Sequence, residues 1–152
     1  ILLASTPVGE EGADWACEMA RVLLDAGADT DDVDRSGCSA LWHSCAWRSG
    51  DLHEVLIAAK CDVNSEQNGT GRRCLHLACE RMMVQVIAGL LQAGASTEAS
   101  SAGRPADILV RRAQELAAPN GYLSNSDAAQ LTLALQLFGL TLADTGVATT
   151  PP

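Results

Sequence analysis

The run LWHSCAWRSGDLHEVLIAAKCDVN at 41–64 lies without a gap over LHLACERMMVQVIAGLLQAGASTE at 75–98, 34 residues further on. Gly37 recurs as Gly71, Cys45 as Cys79, Val55-Leu56-Ile57 as Gly89-Leu90-Leu91, and Cys61-Asp62-Val63-Asn64 as Ala95-Ser96-Thr97-Glu98. An upstream copy of the second half, ARVLLDAGADTD at 20–31, sits 33 residues before its counterpart. A period of this length belongs to few repeat classes. It restricts the chain to an array in which each unit buries its apolar face only against its neighbours.

Within a unit the apolar residues fall at helical spacing. Leu75, Leu77 and Ala78, then Val84, Val86, Ile87, Leu90 and Leu91, predict two short amphipathic helices. Gly27 and Gly94 follow the second helix and supply the left-handed cap that turns the chain out into a hairpin. Lys60 replaces that glycine in the second unit, which predicts a turn there that is strained or differently shaped. Hydrophobic residues make up 47% of the chain but aromatics only 3%, so the apolar surface is mostly Ala, Leu and Val, suited to closely packed helices. That content excludes disorder over most of the length. The longest apolar stretch, Leu131 to Ala143, is interrupted by Thr132, Gln136 and Thr141 and is shorter than the roughly 20 residues of a membrane span.

The pattern resembles the ankyrin repeat, whose unit opens on T-P-L-H-x-A and closes on L-L-x-x-G-A-D-x-N. Ser39-Ala40-Leu41-Trp42 and Arg73-Cys74-Leu75-His76 occupy the first motif, and Leu23-Leu24-Asp25-Ala26-Gly27-Ala28-Asp29 and Leu90-Leu91-Gln92-Ala93-Gly94-Ala95 the second. Arg104-Pro105-Ala106-Asp107-Ile108-Leu109 looks like a variant fourth opening. The resemblance implies an all-α solenoid of about four helix-turn-helix-hairpin repeats with an atypical C-terminal cap. Repeats are expected over 1–118 (about 1–33, 34–67, 68–99 and 100–118 onward), a capping loop and helix over 119–144, and a flexible tail over 145–152.

The ends depart from the register. With Ile1-Leu2-Leu3-Ala4-Ser5 as the opening helix of the first unit, TPVGEEGAD becomes a turn-rich acidic insertion between helices. A long helix is expected over Asp107 to Ala118, a loop over 118–126, and a closing helix over Asp127 to Leu137 with Ser126 as N-cap. LTLALQL also alternates at period two, so a strand is the competing reading, but Ala, Leu and Gln favour helix. The hairpin before Pro105 is shorter than the one before Cys74, which predicts a groove that closes or tilts near residue 100. The chain opens on Ile1 rather than Met, which reads as a processed or trimmed product.

The net charge of -9 is concentrated at one end. Residues 1–34 carry nine acids against the single base Arg21, and the rest of the chain is close to neutral. Such a surface repels phosphate backbones and attracts a basic partner, so direct nucleic-acid binding is not expected. Membrane association is expected only through a partner.

Six cysteines, at 17, 38, 45, 61, 74 and 79, contain no C-x-x-C pair and match no zinc spacing. They read as buried small hydrophobes in a reducing, intracellular compartment, cytoplasm or organelle lumen. Cys38 and Cys74 are the pair expected to be more exposed, with a disulfide between them as the alternative. No metal, cofactor or catalytic residue is assigned. His76 with Cys79, and His43 with Cys45, superficially pair a base with a nucleophile, but neither has an evident orienting group or pocket. The resemblance gives His76 a hydrogen-bonding role between hairpins and helices, with Trp42 in the same slot one unit earlier.

The resemblance also implies a partner-binding groove formed by hairpins and first helices. Trp47 would be its central anchor, surrounded by Arg35, Ser36, Arg72, Arg73, Glu80, Arg81 and Ser100, with Cys38 and Ser101 on the same hairpins. The alternative for Trp47 is packing under a neighbouring hairpin or the acidic insertion. Trp15 is either a staple or a second contact. Two functions follow: a non-catalytic protein-protein interaction module, or a permanent accessory subunit of a larger, organellar or membrane-associated assembly. The second is suggested by the leucine-rich segment from Leu131 to Leu142, since an apolar patch marks an interface.

Overall fold

The computed structural model describes residues 13–47, 51–117 and 124–147. The expected opening helix at Ile1 to Ser5, the body of the acidic insertion, most of the 118–126 loop and the end of the tail lie outside them. The described residues form α1 (Ala13–Asp25), α2 (Ala40–Trp47), α3 (Leu52–Ala58), α4 (Cys74–Glu80), α5 (Val84–Gln92), α6 (Pro105–Ala117) and α7 (Asn125–Gln136), followed by a 3-10 turn, Leu142–Thr145. Where the alternative reading had a strand, Leu131 to Gln136 is helical.

Packing sorts these helices into two rows. α2 pairs with α3, α4 with α5 and α6 with α7, each pair making one unit. Between units, α2, α4 and α6 stack as one row, and α1, α3, α5 and α7 as the other. Leu41, Leu52, Leu56, Leu75, Ile87, Leu90, Leu109, Leu131 and Leu135 are fully buried between the rows. Ala16, Ala20, Cys45, Ala78, Cys79 and Ala113 fill the closest approaches, where a larger side chain would push the helices apart.

The second helices end alike. After α1 the amide of Ala28 donates to Leu23 and that of Gly27 to Leu24; after α5, Ala95 donates to Leu90 and Gly94 to Leu91. Gly27 and Gly94 sit at φ 82° and 87°, the left-handed residue of this cap. Lys60 holds the same place after α3 at φ 61°, with Cys61 donating to Leu56 and Lys60 to Ile57. The turn therefore keeps its shape, and the departure from glycine is felt as strain. A left-handed side-chain-bearing residue costs about 1–2 kcal/mol, offset in part by the larger entropy glycine has when unfolded, about 0.4–1 kcal/mol. Lys60→Gly is accordingly expected to raise the unfolding free energy by about 0.5 kcal/mol, read as a higher urea midpoint at constant slope. A lower midpoint would mean that the aliphatic stem of Lys60 contributes more than its backbone costs.

α7 closes with this cap as well. Leu140 donates to Leu135 and Gly139, at φ 71°, to Gln136. Together with its pairing to α6 and stacking on α5, that places α7 as a second helix of the same kind as α1, α3 and α5. Leu135 follows Leu90 by 45 residues where Leu90 follows Leu56 by 34. The excess is taken up by the longer α6 and the segment after it. α7 starts two residues earlier than expected: Ser124, not Ser126, is the N-cap, its Oγ accepting from the Asp127 amide at 3.1 Å. The competing candidate lies inside the first turn because only Ser124 has the extended backbone that lets a hydroxyl reach back to the third amide.

Three hairpins link the units through bridges Val33 to Ser39, Glu66 to Arg73 and Ser100 to Gly103, the last the tightest, as its short spacing predicts. Successive hairpins are tied together. Asp31 Oδ1 accepts from the Asp62 amide at 2.7 Å, Asn64 Oδ1 from the Ser96 amide at 2.7 Å, and the Ser36 carbonyl from the Asn68 amide at 3.1 Å. Asp31 and Asn64, at the ends of the D-x-D and D-x-N tails, thus act as rungs between units, satisfying amides that the turns leave open.

Candidate groove and hairpin sites

His76 is the polar centre of the stack. It is buried, accepts at Nδ1 from the Arg73 amide at 3.1 Å, and meets the Gly103 carbonyl at 3.0 Å and Ser100 Oγ at 3.3 Å through Nε2. The amide contact leaves the ring proton on Nε2, which donates to Gly103. Both nitrogens are engaged, so His76 has no lone pair for a base. Cys79 is pushed up to about 12 by burial, the opposite of what a nucleophile needs. Trp42 is in the same slot one unit earlier, and its buried indole N–H has no partner.

All six cysteines are buried and none is in a disulfide. The expectation that Cys38 and Cys74 are the more exposed pair is wrong, as is the alternative of a disulfide between them, because a neighbouring unit covers each. Cys38 meets Asp34 and the Gln67 side chain, whereas Cys74 hydrogen-bonds to Cys45. That thiol contact and burial hold Cys74 well above the usual thiol range.

The expected groove residues separate by what they touch. Arg72 pairs with Glu80, joining hairpin to α4. With Thr70, Ala102, Ile108 and Arg111 they line a groove of about 290 Å³ between α4, α6 and their hairpins. Arg73 is more enclosed and pairs with Glu66 across its hairpin, Nη2 to Oε1 at 2.7 Å. Ser100 is part of the His76 network and also accepts from the Ala102 amide at 3.1 Å. Arg81 is exposed and its guanidinium caps the Ala46 carbonyl at the end of α2, at 2.5 Å. Arg35 and Ser36 are exposed at the first hairpin. Trp47 is the last residue of α2, and its side chain lies outside the described residues. Trp15 is half exposed on α1.

Sequence reasoning missed Ile108 and Arg111. Aligning the start of α6 with that of α4 sets Ile108 against Leu77 and Arg111 against Glu80, which was the available signal.

It also missed a cluster at the first hairpin. Asp34 Oδ1 accepts from the amides of Ser36 and Cys38 at 2.8 and 3.0 Å, and Oδ2 meets His43 Nε2 at 2.8 Å. The Cys38 amide, then the His43 ring and Ser36 amide, hold the Asp34 carboxyl below its usual range. Burial, then the Asp34 carboxylate, pushes the Cys38 thiol up, so this trio is not an activated nucleophile either.

No described helix is long and apolar enough to cross a membrane. The sequence profile described as ankyrin repeats, in three copies, matches residues 13–101. The mouse protein "Ankyrin repeat domain-containing protein 40" is 47% identical over 51 residues, and its human counterpart 45% over 51 residues. Each alignment covers 32% of this chain and 14% of the relative. The chain therefore matches only a small part of those proteins. Among solved structures, the ankyrin repeat domain of Bcl-3, a member of the IκB family, is similar at TM-score 0.57 and 28% identity, covering 63% of this chain and 43% of that one.

Proposed function

This chain belongs to the ankyrin-repeat family, and from that premise we propose that it is a non-catalytic module that grips a partner protein through its hairpins and first helices. Repeats of this family generally mediate protein-protein interaction and are typically non-catalytic. The observation that carries the reading is the groove between α4 and α6, where Arg72, Glu80 and Arg111 set charges of both signs around Ile108 and Ala102. An apolar floor with a polar rim suits a protein surface. Arg35, Ser36 and Arg81 extend the same side toward the second unit, with Trp47 as the proposed anchor, while Arg73 and Ser100 hold the hairpins that frame it. The acidic residues Asp25, Asp29, Asp31 and Asp32, all at the first unit, favour a partner with a basic surface there.

Cross-linking of the protein in its native source, followed by mass spectrometry, tests this. Links from a partner to the hairpins and the first helices support it. Trp47→Ala is then expected to weaken that partner by more than about 1 kcal/mol while leaving helicity intact. Normal binding by the folded variant would remove Trp47 from the site.

A second reading, a permanent accessory subunit, is favoured by one observation: α7 leaves Leu133 49% and Leu137 37% exposed. Recovery in a stoichiometric complex cross-linked through α7 and the first unit would support it over a reversible adaptor. A stable free monomer would count against it.

A further inference from the structure

We propose that Asp34, Cys38 and His43 form a zinc-binding site at the hairpin between the first and second units. One ligand atom from each residue lies within 4.8 Å of the other two. A thiolate, an imidazole and a carboxylate are donors that suit zinc, whereas calcium and magnesium prefer sites made of oxygen alone. Three protein ligands leave a fourth tetrahedral position, which water fills on the exposed side of the hairpin, beside Arg35 and Ser36.

The hairpin holds the donors before any ion arrives. The Asp34 amide donates to the Cys38 carbonyl at 3.0 Å, and the Ser36 and Cys38 amides hold Asp34 Oδ1, leaving Oδ2, which faces His43 Nε2, as the ligand atom. His43 lies in the first turn of α2, anchored by its amide to the Ser39 carbonyl at 3.1 Å. The Trp42 ring meets its imidazole edge-on, with centroids 5.5 Å apart. Gln67, from the following hairpin, is placed to donate to the Cys38 sulfur. Groups of this second kind orient ligands and tune their basicity.

Tetrahedral zinc with bonds of about 2.0–2.3 Å needs donors about 3.3–3.6 Å apart. His43 Nε2 and Asp34 Oδ2 are now at 2.8 Å, and their side chains, 22% and 33% exposed, have room to part by that margin. On binding, Cys38 releases its thiol proton to solvent and the His43 ring proton moves to Nδ1, freeing Nε2 as donor.

Repeat architecture does not account for the trio. The residues 34 positions on are Asn68, Arg72 and Leu77, and that unit forms its hairpin and first helix with them. These donors therefore have no counterpart in the third unit.

The test uses the reduced, purified chain and the metal alone. Cobalt is expected to give a saturable thiolate-to-metal charge-transfer band at one ion per chain, bleached by stoichiometric zinc, and zinc is expected to raise the melting temperature. Cys38→Ser and His43→Leu should each lower zinc affinity by at least ~100-fold. His43→Leu installs the residue that Leu77 shows the slot accepts, so its fold is retained and its result stands if Cys38→Ser does not fold. Absence of a saturable band in the wild type would overturn the proposal. So would a band of undiminished strength in folded His43→Leu, because the ion would then be held elsewhere.

Discussion

His76→Ala is expected to lower the unfolding free energy by about 3 kcal/mol. The ring is fully buried between α4 and the hairpin before α6, so its removal leaves a cavity. It also leaves the Arg73 amide without the acceptor that His76 supplies at 3.1 Å, while the Gly103 carbonyl loses its 3.0 Å contact with the ring but keeps the Ser100 amide. The orphaned amide adds about 1–3 kcal/mol, and relaxation of the hairpin toward water returns part of that. His76→Gln keeps one donor and one acceptor and is expected to lose less. Urea unfolding followed by far-UV circular dichroism measures both. A loss below about 1 kcal/mol for the alanine variant would mean that the hairpin stays docked without this bridge.

Leu131→Ala is the second large effect, also about 3 kcal/mol. Leu131 is fully buried on α7, whereas Leu133, on the same helix, is half exposed. Leu133→Ala is therefore the control, expected to change stability by less than about 0.5 kcal/mol. If α7 is a full member of the stack, the Leu131 variant unfolds in one transition at a lower urea midpoint. A separate early transition, leaving the remaining helicity at the wild-type midpoint, would show that α7 is a detachable cap. Repeat arrays permit either behaviour, because each unit is stabilised only by its neighbours.

Much of the architecture was legible because its signals are local. Leu23-Leu24 before Gly27 and Leu90-Leu91 before Gly94 announce a helix end within a few residues, and the caps form there. Lys60 was readable as a departure, though not in kind: the turn keeps its hydrogen bonds and absorbs the cost in backbone strain. Leu135-Gln136-Leu137-Phe138-Gly139 carries the same signal. It was passed over because α6 and the segment after it stretch the spacing beyond the regular period. The N-cap of α7 was misplaced by two residues because Ser124 and Ser126 are chemically equal candidates, and only backbone geometry separates them.

The site was less legible. Arg72 and Glu80 were expected in a groove from register, and they pair with one another. Arg73 and Ser100 were expected beside them, yet they are drawn into hairpin contacts with Glu66 and His76. Cys38 and Cys74 near hairpin junctions read as exposed, since a single hairpin has nothing above it. Each is covered once a neighbouring unit is stacked on it, Cys38 beneath Gln67 of the following hairpin and Cys74 against Cys45 of the preceding unit.

The period, the helices, the left-handed caps and the order of the units are properties of short windows of chain, where backbone sterics and side-chain spacing act between near neighbours, and the sequence by itself determined them. Burial of Cys38 and Cys74, the choice of the Gly103 carbonyl as partner of His76, the placing of α7 on α5 and the convergence of Asp34, Cys38 and His43 were decided by the tertiary structure. Each depends on where a neighbouring element or a folded-back hairpin comes to rest, and that position is set by packing between segments, which no single window encodes.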